Sequence, residues 1–286
     1  MTRGPAGELL TTAIADLADG IAVRRAAALA DEPDAVHQLR TTVRRLRNLL
    51  AAFRRCFDPL RADELGAVLA SYGELLGRCR DLEVRAADAA AALASLDLGE
   101  LDQALAGPLR ARHRAAHATL VEWHATRACD ELDAHLARWA AHPPLSGRAA
   151  RRADAVAAKA VGRQARRVLR RADAAAAGDE EARHALRKAA RRLRHTAEAV
   201  APVDGAPVDK DRARALGVLG HEVQSALGDH RDALLLAAHA RLAAGTAGAA
   251  DATSYELVAE HAEERAKAAL ERLDAPLADL RGRVDT

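Results

Sequence analysis

An all-α architecture is what this 286-residue sequence predicts, and three observations lead to it. Half the residues are apolar, yet alanine and leucine supply most of them, while aromatic residues make up only 2%, a balance that favours helix over strand. Helix breakers are clustered, so the stretches between them run far beyond a typical helix and point to bundles or helical hairpins. Within the stretches apolar residues recur at three- and four-residue spacing, as one buried face of a helix requires.

Taken in order, Pro5 suits the start of a first helix running to about Ala30, where Asp31-Glu32-Pro33-Asp34 makes a turn with Asp34 as its N-cap. A second helix covers Ala35 to Phe57 and is ended by Pro59; a third runs from Arg61 to Leu96. After Asp97-Leu98-Gly99 a fourth extends to Ala141, with a start or kink at Pro108, and Pro143-Pro144 closes the first half. The second half repeats the plan: Gly147 to Ala177, ended near Gly178; Glu180 to Val200; a loop at Pro202 to Pro207; Asp209 to Ala243; a small-residue loop through Gly245 and Gly248; and Thr253 to Arg281.

The chain is long enough to bury a core without covalent staples. Cys56, Cys79 and Cys129 are an odd number with no close pair, and no apolar N-terminal segment resembles a signal peptide, so a reducing cytoplasm is the expected location. Charges interrupt every apolar run before the roughly 18 residues that a membrane span needs, and no membrane role is expected.

The net charge of +2 conceals a segregation of sign. Arg40 to Arg55, Lys159 to Arg171 and Arg183 to Arg194 each hold six basic residues and no acid, while carboxylates gather in segments such as Glu256 to Glu271. Two of the basic segments are copies. His37, Arg40, Arg44, Arg45, Leu46 and Arg47 match His184, Arg187, Arg191, Arg192, Leu193 and Arg194 at a constant offset of 147. Leu76-Gly77-Arg78-Cys79-Arg80-Asp81 then matches Leu227-Gly228-Asp229-His230-Arg231-Asp232 at an offset of 151, the difference a loop insertion produces. A single domain built from two four-helix repeats, residues 1–142 and 145–286, is therefore expected, related by a pseudo-twofold axis that brings the basic helices into one molecule.

At 100° per residue, His37, Arg40, Arg44 and Arg47 fall within about 80° on one helical face and span roughly 15 Å of axis. Leu39, Val43, Leu46, Leu50 and Phe53 form an apolar stripe roughly 100° away. His184, Arg187, Arg191 and Arg194 repeat the ladder beside Leu186, Ala190, Leu193, Ala197 and Val200. Lys159, Arg163, Arg166 and Arg170 make a third stripe with the same 4-3-4 spacing. Such arginines repel one another along a helix, and no local acid relieves either ladder. A row of phosphates does so, because each guanidinium offers forked, permanently charged donors, and histidine adds a further donor. The opposing reading is that the stripes are solvated faces paired with acids elsewhere; the identical histidine offset in both copies counts against it.

These residues resemble a known family. Val36 to Arg47 (VHQLRTTVRRLR) and His184 to Arg194 (HALRKAARRLR) look like the two signatures of the CHAD family, whose name stands for a histidine-marked α-helical domain, and LLGRCRDLEV (75–84) and QSALGDHRDA (224–233) look like the LG-x-x-R/N-D elements that follow them. The resemblance covers almost the whole chain. It implies two pseudo-symmetric four-helix bundles forming one compact helical domain with a basic central groove or pore. The implied partner is inorganic polyphosphate, and the implied setting polyphosphate granules. Carried over by position, the polyphosphate contacts are His37, Arg40, Arg44, Arg47, His184, Arg187, Arg191 and Arg194; Lys159, Arg163, Arg166 and Arg170 rest on the stripe argument. His195 departs from the family, which usually has tyrosine there.

Other chemistries find less support. His113 and His117 have metal-binding i, i+4 spacing without an apparent third ligand, and no metal or cofactor is expected. No Gly-rich phosphate loop, nucleophile motif or carboxylate cluster for Mg²⁺ is present, so a non-enzymatic protein is expected, with a phosphohydrolase or phosphotransferase accessory module as the weaker alternative. Arg80-Asp81 and Arg231-Asp232 read as structural ties. Nucleic acid is the main competing partner, within a general polyanion-binding role, but none of the six aromatic residues is interleaved with the ladders as a base-stacking surface requires. Arg110, Arg114 and Arg127 are candidates to extend the anion-binding surface.

Overall fold

The computed structural model describes residues 4–200 and 210–285; among them there is no β-strand, only isolated bridges joining Pro5 to Arg152 and Phe57 to Leu145. Helices α1 (Ala6–Leu29), α2 (Ala35–Ala52) and α3 (Pro59–Ser95) come in the predicted order, and each boundary has a local cause. Asp31 and Asp34, both at positive φ, turn the chain between α1 and α2. The Asp34 carboxylate makes no capping bond and lies 3.8 Å from Arg80 instead. Helix α2 stops short of Phe57 because the chain tightens into a 3-10 turn at Arg54–Cys56. Asp58 accepts the Arg61 N–H at 3.0 Å and, with Pro59 behind it, opens α3.

The single helix expected up to Ala141 is three: α4 (Asp102–Leu105), α5 (Gly107–His124) and α6 (Arg127–Ala141). Pro108 sits in the first turn of α5. At its far end the Thr126 hydroxyl donates to the Trp123 carbonyl at 2.7 Å, satisfying the end of α5 in place of further helix. A 3-10 turn at Gly147–Ala150 precedes α7 (Ala153–Ala175), which ends ahead of Gly178 at φ 85°. Asp179 accepts the Ala182 N–H at 2.9 Å to open α8 (Glu180–Val200). The loop expected at Pro202 to Pro207 and the helix start at Asp209 lie outside the described residues. Helices α9 (Lys210–Ala244), α10 (Ala249–Glu271) and α11 (Asp274–Asp285) complete the chain, so the last expected helix begins at Ala249 and is divided at Arg272 and Leu273.

The apolar stripes predicted for α2 and α8 are both buried; Leu39, Leu46, Ala190 and Leu193 are wholly inaccessible. Burying those faces turns the basic faces toward the seam where α2 lies against α8. One hydrophobic cluster gathers α1, α2 and the first part of α3 with α7, α8 and the start of α9. A second joins the far end of α3 (Ala89, Leu93) to α9 (Leu236, Ala240) and α10 (Tyr255, Val258). Both clusters draw on both halves of the sequence, and α3 and α9, the longest helices described, take part in both.

Close packing of α9 on α8 depends on Gly220, where a Cβ atom would stand 3.0 Å from the Ala190 carbonyl and the Arg194 nitrogen. Backbone atoms give way poorly, so Gly220→Val is expected to destabilise the protein by about 1–3 kcal/mol in urea unfolding. Gly66, with nothing within 4 Å of a Cβ, is expected to gain up to about 1 kcal/mol as Gly66→Ala.

Candidate anion-binding site

Helices α2 and α8 lie against one another, and at Asn48 and His195 the 147-residue offset of the repeat is an offset of contact. Asn48 donates its amide N–H to His195 Nδ1 at 2.6 Å. One turn earlier Arg191 is the cation that bears hardest on Arg44, and Arg40 and Arg187 act on each other one turn before that. The charges acting on Arg44 are foremost arginines: Arg191, Arg40, Arg194 and Arg187. Burial, reinforced by this repulsion, pushes the Arg44 guanidinium down to about 9 and Arg191 to about 10. Arg47, Arg187 and Arg192 are also held below the usual guanidinium range, first by burial.

Donors here outnumber acceptors. The Nε atoms of Arg44, Arg187 and Arg191 are buried without a hydrogen-bond partner, and Arg44 has only a 3.3 Å contact from Nη2 to the Thr41 hydroxyl. His195 is 2% exposed; because its Nδ1 accepts from Asn48, Nε2 carries the proton, and that atom too is buried and unpartnered. Burial followed by Arg44 and Arg194 drives this imidazole down to about 2, so it is neutral. Four buried donors without acceptors in a cationic seam are what an anion relieves.

The glycines of the two LG elements acquire a physical role here. A Cβ at Gly77 would stand 3.4 Å from Arg40 Nε, and one at Gly228 would stand 3.2 Å from Arg187 Nη2. In each half the missing side chain lets the equivalent ladder arginine lie along the next helix.

An open cavity of about 470 Å³ lies along the seam, lined by Arg40, Arg44, Arg47, Asn48 and Arg54 around α2, by Lys188, Arg191 and Arg192 of α8, and by α3 through Gly66 and Gly73. Its one carboxylate, Asp63, is bonded by Arg54 at 2.6 and 3.2 Å. Lys188, Arg192 and Arg54 were not among the residues expected from the sequence. Lys188 and Arg192 form a second row one position beyond the ladder of α8, a signal present in the motif but assigned to neither face by periodicity alone.

The other expected residues are placed as follows. His37 and His184, at the starts of the ladders, are held below the usual imidazole range, first by burial and then by Arg80 and Lys188 respectively. Arg194 is already engaged: its Nε donates to Glu198 at 2.7 Å and Nη1 lies 3.0 Å from His221, while Glu198 also meets Arg45 of α2 at 3.3 Å. Lys159, Arg163, Arg166 and Arg170 are exposed on α7 and are not in the cavity wall. Arg163 instead donates to the Ala52 carbonyl at 3.0 Å, closing the end of α2, and Arg167 is the α7 residue that acts on Arg192. Arg80 meets Asp34 at the start of α2 and Asp81 meets Arg40 of α2, so these residues tie α3 to α2, while Arg80 also meets Glu83 within α3. Arg110 is forked onto Asp102, and Arg127 donates from Nε to Glu131 at 3.1 Å. His113 bonds to the Cys79 carbonyl and Asp31, and His117 donates to the Ala28 carbonyl at 2.9 Å; among the described residues no group of three or more histidine, cysteine or acidic side chains is placed to hold a metal. No helix among them is long and apolar enough to cross a membrane, and the three cysteines are free and buried.

Fold and site together define an all-helical bundle protein with a duplicated histidine-and-arginine helix at its centre. The chain belongs to the CHAD domain family, whose model matches residues 12–241. It is 30% identical, over 96% of its length, to the uncharacterised protein Rv2226 of Mycobacterium tuberculosis, and it spans only 54% of that protein. Among solved structures it is similar to PptA from Streptomyces chartreusis (TM-score 0.76, 22% identity, 96% of this chain and 99% of that one) and to the CHAD domain from the plant Ricinus communis (TM-score 0.68, 22% identity, 99% and 93%).

Arg44 costs the ligand-free fold more than it returns, so Arg44→Met is expected to raise ligand-free stability by about 1 kcal/mol in urea unfolding. His195 gives a pH signature. Its folded value, about 2, lies below the unfolded 6.5, so the unfolded chain alone takes up a proton between them and stability is lost as pH falls below 6.5. His195→Gln should remove up to about 1.4 kcal/mol per pH unit from the slope of stability against pH on that acid limb.

Proposed function

We propose that the protein is a non-enzymatic module that binds inorganic polyphosphate along the seam of α2 and α8, between two pseudo-symmetric helical repeats, in the cytoplasm at polyphosphate granules. The observation that carries the reading is that Arg44 and Arg191, equivalent residues of the two copies, line one cavity with their Nε atoms buried and unpartnered. A linear phosphate chain supplies closely spaced oxygens with no base or sugar to accommodate, which suits a seam poor in aromatic residues. Arg40, Arg44, Arg47, Arg187 and Arg191 are its principal contacts, with Lys188 and Arg192 beside them and His37 and His184 at the entrance. Lys159, Arg163, Arg166 and Arg170 draw the anion from outside the cavity as a diffuse field.

Calorimetric titration with long-chain polyphosphate tests this, with duplex DNA and single-stranded RNA as competitors. Affinity is expected to fall roughly a hundredfold between about 50 and about 200 mM salt if about four counterions are released. Arg44→Glu with Arg191→Glu should weaken binding at least about a hundredfold while helicity and melting temperature are retained. Displacement by nucleic acid at equal strength would make this a general polyanion binder, and absence of binding would return the ladders to solvated faces.

A further inference from the structure

The seam is not free of acid along its whole length. Asp81 of α3 reaches into the end where the ladders begin, with its Oδ1 3.4 Å from Arg40 Nη2. Its charge is also felt by Arg191 on the opposite helix and, after that of Asp232, by Arg187, so its field reaches guanidiniums of both copies while its contact is with Arg40. The bond is long and single, and the Asp81 side chain is 64% exposed, unlike the short Arg194–Glu198 tie at the other end. Its counterpart Asp232 lies on the same side and acts on Arg187, but is more deeply buried, and burial raises its carboxyl above the usual range. Asp81 is thus the exposed and loosely held acid at the end of the cationic seam where the ladders begin.

We infer that Asp81 is a built-in competing anion: in the free protein its carboxylate stands in for a phosphoryl group at Arg40, its field reaching Arg187 and Arg191, and a ligand must displace it to bind there. This rests on the anion-binding reading of the seam and adds a basis for chain-length selection. A carboxylate tethered to the same fold acts at an effective concentration in the millimolar range. A single phosphate exchanges one anion for another and gains little. A long chain meets Arg44 and Arg47 at the same time and offsets the displacement through contacts that Asp81 never supplies.

The test compares wild type, Asp81→Asn and Glu256→Gln. The last changes net charge equally at an exposed Arg241–Glu256 pair of 3.5 Å remote from the seam. In calorimetry, Asp81→Asn should bind tripolyphosphate about three- to fivefold more tightly, with long-chain polyphosphate changed less than twofold, and Glu256→Gln should match wild type. A second readout needs no polyphosphate. At low salt Asp81→Asn should melt below wild type because the guanidiniums lose their shared acid, and added sulfate should restore the difference. Unchanged discrimination between the two chain lengths in Asp81→Asn, or a melting temperature and sulfate response equal to wild type, overturns the inference. Wild type that fails to bind polyphosphate, alongside sulfate-rescued melting of Asp81→Asn, would remove the polyphosphate reading and leave Asp81 as the internal counter-ion.

Discussion

Repulsion between Arg44 and Arg191 is the constraint around which the molecule is arranged. Two half-buried guanidiniums on one cavity, their Nε atoms without acceptors, are unfavourable in both desolvation and Coulomb energy, and they persist only because the helices carrying them are held together by something else. That support is visible residue by residue. Leu39, Leu46, Ala190 and Leu193 anchor the opposite faces in the core. Asn48 binds His195 across the seam, and Glu198 gathers Arg45 of one helix and Arg194 of the other. Both ties lie at the C-terminal end of the ladders, and the unsatisfied stretch of Arg44, Arg187 and Arg191 lies before them. A seam that served only packing would have arginine replaced there by an apolar residue; a seam that served an anion keeps the demand unsatisfied until the anion arrives.

The rest of the fold reads as scaffolding for that stretch. Helices α3 and α9 each run through both hydrophobic clusters, so the wall behind one ladder is continuous with the distant core of Tyr255 and Val258. Gly77 and Gly228 sit on those same helices, one beneath Arg40 and one beneath Arg187, and allow the guanidiniums to lie flat where a methyl group would press on them. The LG elements, recognisable in sequence only as a repeated pattern, thereby become part of the site. Membership of the CHAD family accords with this arrangement. The likeness to PptA and to the Ricinus domain, at 22% identity, speaks for the fold alone.

Much of the architecture was legible before any coordinates, and the exceptions share a cause. Helices α1, α2, α3, α7 and α8 lie close to where breakers and apolar period put them, because those signals are local. The divisions at Thr126 and at Leu273 were not expected: no glycine or proline marks the first, where a threonine side chain competes with the backbone within one turn, while the second is marked by Pro276 in the first turn of α11. Asp34 has the residue type of an N-cap but spends its charge near Arg80, a partner 46 residues away.

The same division applies to the site. The sequence alone determined that two helices carry equivalent histidine-and-arginine faces, that each has a separate apolar face, and that the only acid placed to neutralise a ladder from its own helix is Glu198, four residues past Arg194, since composition and helical period set charge and angle within one element. It did not determine which basic rows would meet. Tertiary structure decided that Lys188 and Arg192, and not Lys159, Arg166 or Arg170, share the cavity with Arg44. It also turned Arg194 and Arg163 to structural bonds and placed Asp81 against Arg40. Those outcomes depend on how helices far apart in sequence cross and rotate against one another, which is settled by the packing of the whole core and is written in no single segment.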